Sequence, residues 1–114
     1  MSRPKIEKNI CNLPEYLNFK SDRKGKKETI IMTCEEYETI RLIDYENLQQ
    51  EDCATRMNVS RTTVQFLYTS ARNKIADFVV NGKNLQIKGG NYKLCEQKNI
   101  LCGKGKCKKC DGKD

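Results

Sequence analysis

The chain has 114 residues and a formal net charge of +7, from 22 Lys and Arg against 15 Asp and Glu. This length allows one small domain with appendages, and 37% hydrophobic against 32% charged residues argue against a large core or an enclosed catalytic cavity. Because the chain has neither a membrane-length apolar run nor the apolar stretch of a signal peptide, we expect a cytoplasmic protein without membrane contact. No nucleophile–base pair or phosphate-cradling loop stands out, so neither an enzymatic activity nor a small-molecule substrate is predicted.

The charge is divided unevenly along the chain. Residues 1–27 carry +5, residues 28–59 carry −6, residues 60–92 carry +4 and residues 93–114 carry +4. A basic chain favours a polyanion as its partner, and the change of sign at Ser60 indicates where the binding segment begins. The acidic residues before it are expected on the solvated faces of helices.

The N-terminal residues 1–27 are predicted to form an extended basic arm that is partly docked on the rest of the chain. They combine both prolines with many lysines and few apolar anchors. The β-branched, apolar run at 29–32 then suits a very short strand, and Leu85 and Ile87 alternate like a second one. A pair of short strands is therefore expected beside the helices.

A first helix is predicted after the strand at 29–32. Thr33 and Glu36 have the spacing of a capping box, in which each side chain accepts a hydrogen bond from the other residue's amide. The helix should therefore run from about residue 34 to 44. Its apolar residues, expected to be buried, are Tyr37, Ile40 and Ile43.

Two further helices follow, joined by a tight turn. The second runs roughly from residue 50 to 57 and stops at Asn58, a residue type that tolerates the left-handed conformation. Ser60 then caps a third helix, whose apolar residues keep helical spacing until Asn81 and Gly82 end it. At about 1.5 Å per residue, this helix is about 30 Å long.

The second and third helices match the spacing of a helix-turn-helix unit. The residues expected between the helices are all small or apolar. They are Cys53, Ala54, Met57, Val59, Val64 and Leu67. Six side chains then face away from the core at the start of the third helix, where a recognition helix presents side chains to the major groove of DNA. These six are Ser60, Arg61, Thr62, Gln65, Phe66 and Thr69.

The chemistry of these side chains suits duplex DNA. Arg61 can donate two hydrogen bonds to guanine, and Gln65 can pair with adenine. The Thr62 methyl group or the Phe66 ring can contact the methyl group of thymine. Phosphate contacts are expected from Ser60, Thr63, Arg72 and Lys74, with support from Arg3 and Lys5 of the arm. The alternative is a solvated polar face on an ordinary pair of helices, but the third helix has a single acidic residue, which favours DNA contact.

Six segments of the chain, in order, resemble the motifs of a small prokaryotic family. They are CNLPE at 11–15, ETIRLID at 38–44, QE at 50–51, MNVSR at 57–61, ARNK at 71–74 and GKNLQIKGGNY at 82–92. This is the domain of unknown function 134 family of predicted DNA-binding proteins, and the likeness covers about residues 3–95. The resemblance implies a helix-turn-helix similar to region 4 of sigma factors, without a known target or reaction. The chain departs from the family pattern at Phe66, where a basic residue is expected.

Four cysteines near the C-terminus form the pattern C-x6-C-x4-C-x2-C. They are Cys95, Cys102, Cys107 and Cys110. Four thiolates can close a tetrahedral metal site, and the short C-x2-C knuckle fits one edge of it. Zinc is the first expectation, an iron-sulfur cluster is the alternative, and a tail that is metal-free, disordered or redox-active is the third interpretation.

The other three thiols carry weaker signals. In a reducing compartment, cysteines are more often metal ligands or small buried residues than disulfides. Cys53 is therefore expected to be a small core residue, and Cys34, in the first turn of the first helix, is expected to be incidental. Cys11 lies within a resembled motif, so a ligand or redox role stands beside core packing as its alternative.

The sequence as a whole predicts an all-α, sigma region 4-like helix-turn-helix fold in three parts. These are a basic arm at 1–27, a helix-turn-helix domain at 28–92 and a metal-binding, Cys-rich tail at 93–114. The predicted function is sequence-specific binding of duplex DNA by a transcription regulator. The alternatives are a protein-interaction module of the transcription machinery and an iron-sulfur redox sensor or electron carrier.

A homodimer is also predicted, because the third helix continues an apolar face beyond the helix-turn-helix unit. The residues of this face are Ile75, Phe78, Val79 and Val80. The N-terminal arm is the alternative occupant of the same face.

Overall fold

A computed structural model describes residues 8–94, which form a mostly helical domain with two small sheets. The helices are α1 (Cys34–Thr39), α2 (Gln50–Met57) and α3 (Arg61–Asn81), and a π-helix (Ile40–Tyr45) continues α1. The strands are β1 (Lys8–Ile10), β2 (Asn18–Phe19), β3 (Thr29–Met32), β4 (Asn84–Ile87) and β5 (Tyr92–Leu94). The expected all-α class is therefore corrected to a helical domain that includes strands.

The sheets join segments that lie far apart in the sequence. One sheet has the order β2–β4–β3, in which β4 is antiparallel to β2 and parallel to β3. Its register places Ile30 beside Leu85, which confirms the predicted strand pair. The second sheet pairs β1 with β5 in parallel and places Ile10 beside Leu94. The arm thus supplies one strand to each sheet.

The start of α1 forms as its sequence predicts. The Glu36 amide donates to Thr33 Oγ1 at 3.1 Å, and the Thr33 amide donates to Glu36 Oε1 at 2.9 Å. These two bonds complete the capping box.

The end of the first helix differs from the prediction. The α-helical part stops at Thr39, and the π-helix follows, with the Glu46 amide donating to the Arg41 carbonyl at 2.8 Å. The five-residue spacing of this bond rotates the following side chains relative to an α-helix. The buried side is formed by Glu35, Glu38, Thr39 and Leu42, whereas Tyr37, Ile40 and Ile43, expected to be buried, are only partly buried.

The turn between α2 and α3 follows the predicted chemistry. Asn58 has φ 60° and ψ 48°, which is the left-handed conformation, and the Val59 amide donates to the Ala54 carbonyl at 3.0 Å. Ser60 then accepts from the Thr63 amide at 3.1 Å and caps α3. At its other end α3 stops at Gly82, whose φ is 62°.

Two apolar clusters form the core, and α3 contributes to both. The first cluster lies under β3 and β4 and consists of Ile10, Met32, Cys34, Ala71, Leu85 and Ile87. The second lies between the π-helix, α2 and the start of α3 and consists of Leu42, Cys53, Ala54, Met57, Val64 and Leu67. The long helix therefore fixes the two halves of the described domain relative to each other. Within residues 8–94, no helix is both long and apolar enough to span a bilayer.

The left-handed turn generates a test of stability. Replacing Asn58 with Ala should lower the free energy of unfolding by about 1 kcal/mol, because a side chain with a Cβ and no local hydrogen bond is disfavoured there. Replacing Asn58 with Gly should change it by less than about 0.5 kcal/mol. Urea denaturation monitored by circular dichroism measures both variants.

The matched control is Asn73→Ala, which changes an exposed asparagine in the middle of α3. It should leave stability unchanged or raise it slightly, because alanine has the higher helix propensity. Equal effects of Asn58→Ala and Asn73→Ala would contradict the role assigned to the turn.

Candidate nucleic-acid interface

The first half of α3 carries a row of exposed polar and aromatic side chains. On its inner side Val64, Leu67 and Ala71 are buried. On its outer side the exposed residues form what we term the α3 surface: Arg61, Thr62, Gln65, Phe66, Thr69 and Arg72. Phe66 is 74% exposed, as are several other large hydrophobic side chains of the domain to a similar degree. The structure thus places five of the six residues predicted to face the major groove, together with Arg72, on one surface.

The two arginines of this surface differ in how firmly they are held. Within the described part of the chain Arg61 forms no ion pair. The Arg72 Nη1 donates to the Tyr68 hydroxyl at 3.0 Å, its guanidinium lies 5.4 Å from the centre of that ring, and Asp44 is 4.0 Å away. Its side chain is nevertheless 61% exposed, so an oriented cation faces solvent at this point.

Tyr68 and Asp44 orient Arg72 and were not among the predicted site residues. The Tyr68 hydroxyl donates to Asp44 Oδ1 at 2.7 Å. The i, i+4 spacing of Tyr68 and Arg72 was the available signal, because such pairs adjoin on a helix surface. The role of Asp44 depends on tertiary packing and had no local signal.

Ser60 and Thr63 are hydrogen-bonded to each other. The Ser60 Oγ caps the Thr63 amide, and the two hydroxyl oxygens lie 3.0 Å apart. Both residues therefore shape the beginning of α3 in addition to lying where a phosphate contact was predicted.

Lys74 lies in a different environment from the one expected of a phosphate contact. Its Nζ donates to Glu36 Oε1 at 2.8 Å, and the Glu36 side chain is buried. Ser70 donates to the other oxygen of the same carboxylate. These contacts, which we term the Glu36 network, hold α3 against α1. Within the network Lys74 forms an internal ion pair with Glu36.

Three glutamates of α1 are buried, which corrects the expectation that the acidic residues lie on solvated helix faces. Glu35 accepts from Lys8 Nζ at 3.0 Å and from the Asn91 amide. Glu38, 1% exposed, binds the Arg41 guanidinium at 2.8 and 3.0 Å. The pattern of the sequence could not reveal the burial of Glu35 and Glu36, because their partner cations, Lys8 and Lys74, come from other segments.

The predicted dimer face is partly covered from within. Ile75 and Phe78 pack against the first core cluster. The Phe78 ring also meets Phe19 of β2 edge-on, with 6.3 Å between ring centres. The arm therefore occupies this part of the face, as the alternative interpretation held, while Val79 and Val80 remain exposed.

Six of the predicted site residues lie outside the described residues. They are Arg3, Lys5, Cys95, Cys102, Cys107 and Cys110. Cys53 lies in the second core cluster, as expected, and burial raises its pKa to about 12. Cys34, for which no role was predicted, lies in the first cluster. Among residues 8–94 there is no group of three or more Cys, Asp or Glu side chains arranged to hold a metal.

The fold and the α3 surface define a small mixed domain built around one long, partly exposed helix. A family described as protein of unknown function DUF134 matches residues 1–95. The chain belongs to this family.

The similar proteins come from several bacteria. A UPF0251 protein of Desulfitobacterium hafniense strain Y51 is 47% identical, with 100% of this chain and 97% of the relative covered. A UPF0251 protein of Caldicellulosiruptor bescii is 43% identical over 91% of this chain and 75% of the relative. One from Caldanaerobacter subterraneus subsp. tengcongensis is 57% identical over 59% of this chain and 57% of the relative. No solved structure matches the chain.

The Glu36 network predicts a defined dependence of stability on pH. Burial opposes ionisation of Glu36, but hydrogen bonds from Lys74, Ser70 and the Thr33 amide outweigh it and hold its pKa below the ordinary 4.5. The carboxylate therefore stabilises the fold above pH 4.5, and this contribution is lost as the pH falls through the lowered folded-state pKa. Glu36→Gln should make stability less dependent on pH in this acid range, as urea denaturation at a series of pH values would measure.

The control for this effect is Glu51→Gln, which changes an exposed glutamate of α2. At neutral pH Glu36→Gln should lower the free energy of unfolding by roughly 1.5–3 kcal/mol, the range for a lost hydrogen bond to a charged group. If the free energy of unfolding of both variants falls with acid pH as it does in the unmodified protein, the Glu36 network does not control this pH dependence.

Proposed function

We propose that this protein binds duplex DNA sequence-specifically through the α3 surface and acts as a cytoplasmic transcription regulator. In this proposal α2, the turn at Asn58 and α3 form a helix-turn-helix similar to region 4 of sigma factors. The α3 surface enters the major groove, where side chains from the start of a recognition helix read base edges.

The observation that carries the proposal is the two-sided character of α3. One side buries Val64 and Leu67 against Cys53, Ala54 and Met57 of α2, which fixes the angle between the two helices. The opposite side leaves hydrogen-bonding and aromatic groups exposed. A rigid helix that offers Arg61 and Gln65 to solvent has the donors and acceptors that guanine and adenine edges require.

Charge supports the same proposal. The acidic residues that give segment 28–59 its negative charge include Glu35, Glu36 and Glu38, which are buried and paired. They are therefore removed from the surface that a phosphate backbone would meet. Arg61 and Arg72 remain exposed, and α3 contains a single acidic residue, Asp77, in its last two turns.

The first test is salt-dependent binding to sites selected by the full chain from genomic DNA fragments. Binding should weaken by about fortyfold between about 50 and 200 mM salt if three phosphates are neutralised. Arg61→Ala should cost roughly 1–3 kcal/mol and flatten the preference at one base pair. Arg72→Ala should weaken all sequences about equally. Fluorescence anisotropy with labelled duplexes measures each variant.

The matched control is Arg23→Ala. Arg23 is exposed and donates to the Asn81 carbonyl at the far end of α3, about 30 Å from Arg61 along a helix of this length. It should leave affinity and sequence preference unchanged. Absence of any salt-dependent binding would favour a protein-interaction module instead, and an unchanged preference in Arg61→Ala would show that the assigned register of α3 is wrong.

We also propose that residues 93–114 bind a metal through Cys95, Cys102, Cys107 and Cys110. Four thiolates satisfy the tetrahedral geometry of zinc, and the seven lysines in this segment offset the negative charge of such a centre. An iron-sulfur cluster accepts the same ligands and would make the protein a redox sensor or electron carrier.

Metal content tests this part of the proposal. The full chain purified anaerobically should contain one zinc or one cluster, and the double variant Cys107→Ser, Cys110→Ser should contain neither, because it lacks half of the ligands. Elemental analysis measures zinc and iron, and an absorbance spectrum separates a coloured cluster from colourless zinc. Equal metal content in both proteins would refute the site.

A further inference from the structure

A strongly charged loop, residues 20–27, joins β2 to β3 and is termed the basic loop below. It contains five cations and one acid, Asp22, which gives it a net charge of +4. The cations are Lys20, Arg23, Lys24, Lys26 and Lys27. Of these, Lys27 is partly buried and the other four are exposed. The basic loop lies outside the α3 surface.

Tertiary contacts fix the basic loop at the C-terminal end of α3. The Ser21 amide donates to Asn84 Oδ1 at 2.8 Å. The Asn84 amide donates to the Glu28 carbonyl, also at 2.8 Å. The Arg23 Nη1 donates to the Asn81 carbonyl at 3.2 Å. Both ends of the loop are thus anchored, and the Arg23 guanidinium is held against the end of the helix.

The tip of the basic loop projects into solvent. Gly25, with φ 85°, has open space where a Cβ would lie, and Lys24 and Lys26 on either side of it are exposed. Within residues 8–94 neither lysine forms an ion pair, and Glu28, the first acidic residue after the loop, is bound to Lys83 at 2.9 Å instead. The described part of the domain therefore leaves the charge of this tip uncompensated.

The basic loop lies at a fixed distance from the end of α3 that carries Arg61. Arg61 and Asn81 are the first and last residues of this helix, and a helix of this length measures about 30 Å. About nine base pairs of duplex span the same distance, at about 3.4 Å per base pair. Because α3 packs in both core clusters, it separates the two positive regions as a rigid spacer.

We propose that the basic loop binds the phosphate backbone of the DNA that flanks the site read by the α3 surface. Lys24 and Lys26 make the contact, and Arg23 helps to hold the loop in place. This inference rests on the proposed function and adds to it a second, sequence-independent contact.

The chemistry of the tip suits phosphates. Lysine ammonium groups are point charges on flexible stems, so they contact phosphates without requiring one geometry. Such contacts position a protein on a duplex and carry no sequence information. One duplex can meet both the α3 surface and the basic loop, since the two lie on the same rigid unit. An acidic protein segment would instead be a second, separate partner.

The test compares two duplexes that contain the same selected site. The short duplex ends within about three base pairs of the site, and the long one extends about fifteen base pairs further on each side, well beyond the reach of about nine. Fluorescence anisotropy at a series of salt concentrations measures the affinity of the full chain for each duplex.

The unmodified chain should bind the long duplex more tightly and with a steeper salt dependence. The slope of log K against log salt is about −0.9 per phosphate, so two additional phosphates make the loss of affinity between about 50 and 200 mM salt about twelvefold greater on the long duplex. At about 50 mM salt the long duplex should therefore bind at least about tenfold more tightly than the short one.

The double variant Lys24→Ala, Lys26→Ala should lose this advantage of the long duplex. It should bind the short duplex as the unmodified protein does and keep the same sequence preference, because phosphate contacts do not read bases. The variant Lys24→Arg, Lys26→Arg should retain the advantage, since it keeps both charges. Circular dichroism confirms that each variant is folded.

The matched control is Lys88→Ala, Lys93→Ala. It makes the same change in net charge at two exposed lysines, which lie beyond the other end of β4. It should keep the advantage of the long duplex. Arg23→Ala should keep it as well, because the bonds of Asn84 to Ser21 and Glu28 still anchor the loop.

The outcomes separate this inference from the proposed function. Site-specific binding by the unmodified chain with no advantage of the long duplex would overturn the role of the basic loop and leave the α3 surface standing. A long-duplex advantage that survives in Lys24→Ala, Lys26→Ala would also overturn it, and an acidic protein segment would then be the partner that fits the charge. Absence of binding to either duplex would overturn both proposals.

Discussion

The arrangement of this domain depends on three buried carboxylates of one short helix. Glu35, Glu36 and Glu38 all lie in α1, and each binds a cation from a different position in the chain. These cations are Lys8 of β1, Lys74 of α3 and Arg41 of the π-helix. A buried ion pair adds little net stability, but removal of one partner leaves an uncompensated charge and is strongly destabilising. Glu35 and Glu36 therefore specify that β1 and α3 meet on α1, whereas Glu38 pairs locally with Arg41, three residues further along.

This constraint connects the core to the exposed side of α3. Lys74 and Ser70 attach the middle of α3 to Glu36, and Ala71 packs in the cluster beneath the sheets. The preceding turns of the same helix pack against α2. With its inner side fixed at both clusters, α3 has a defined outer side. A rigid platform of this kind would suit the proposed contact with a DNA groove.

Local chemistry accounts for the features that could be predicted. The capping box at Thr33, the left-handed Asn58 and the Ser60 cap each involve atoms only a few residues apart, so the amino-acid types largely determine them. The exposed side of α3 follows from the 3.6-residue period of the helix. The strands of the arm could not be found in this way, because β1 and β2 are short and their partners lie more than sixty residues away.

The sequence by itself determined the three helices, their caps and the polar residues that α3 exposes, because these depend on short-range hydrogen bonds and on helical periodicity. Only the tertiary structure decided which charged side chains are buried. Glu36, for example, forms an internal ion pair with Lys74 because α1 packs against α3. The tertiary structure also decided that Leu42 enters the core and that Cys11 lies beside the end of β5. These outcomes depend on long-range packing, in which each residue's surroundings are set by segments that a local pattern does not contain.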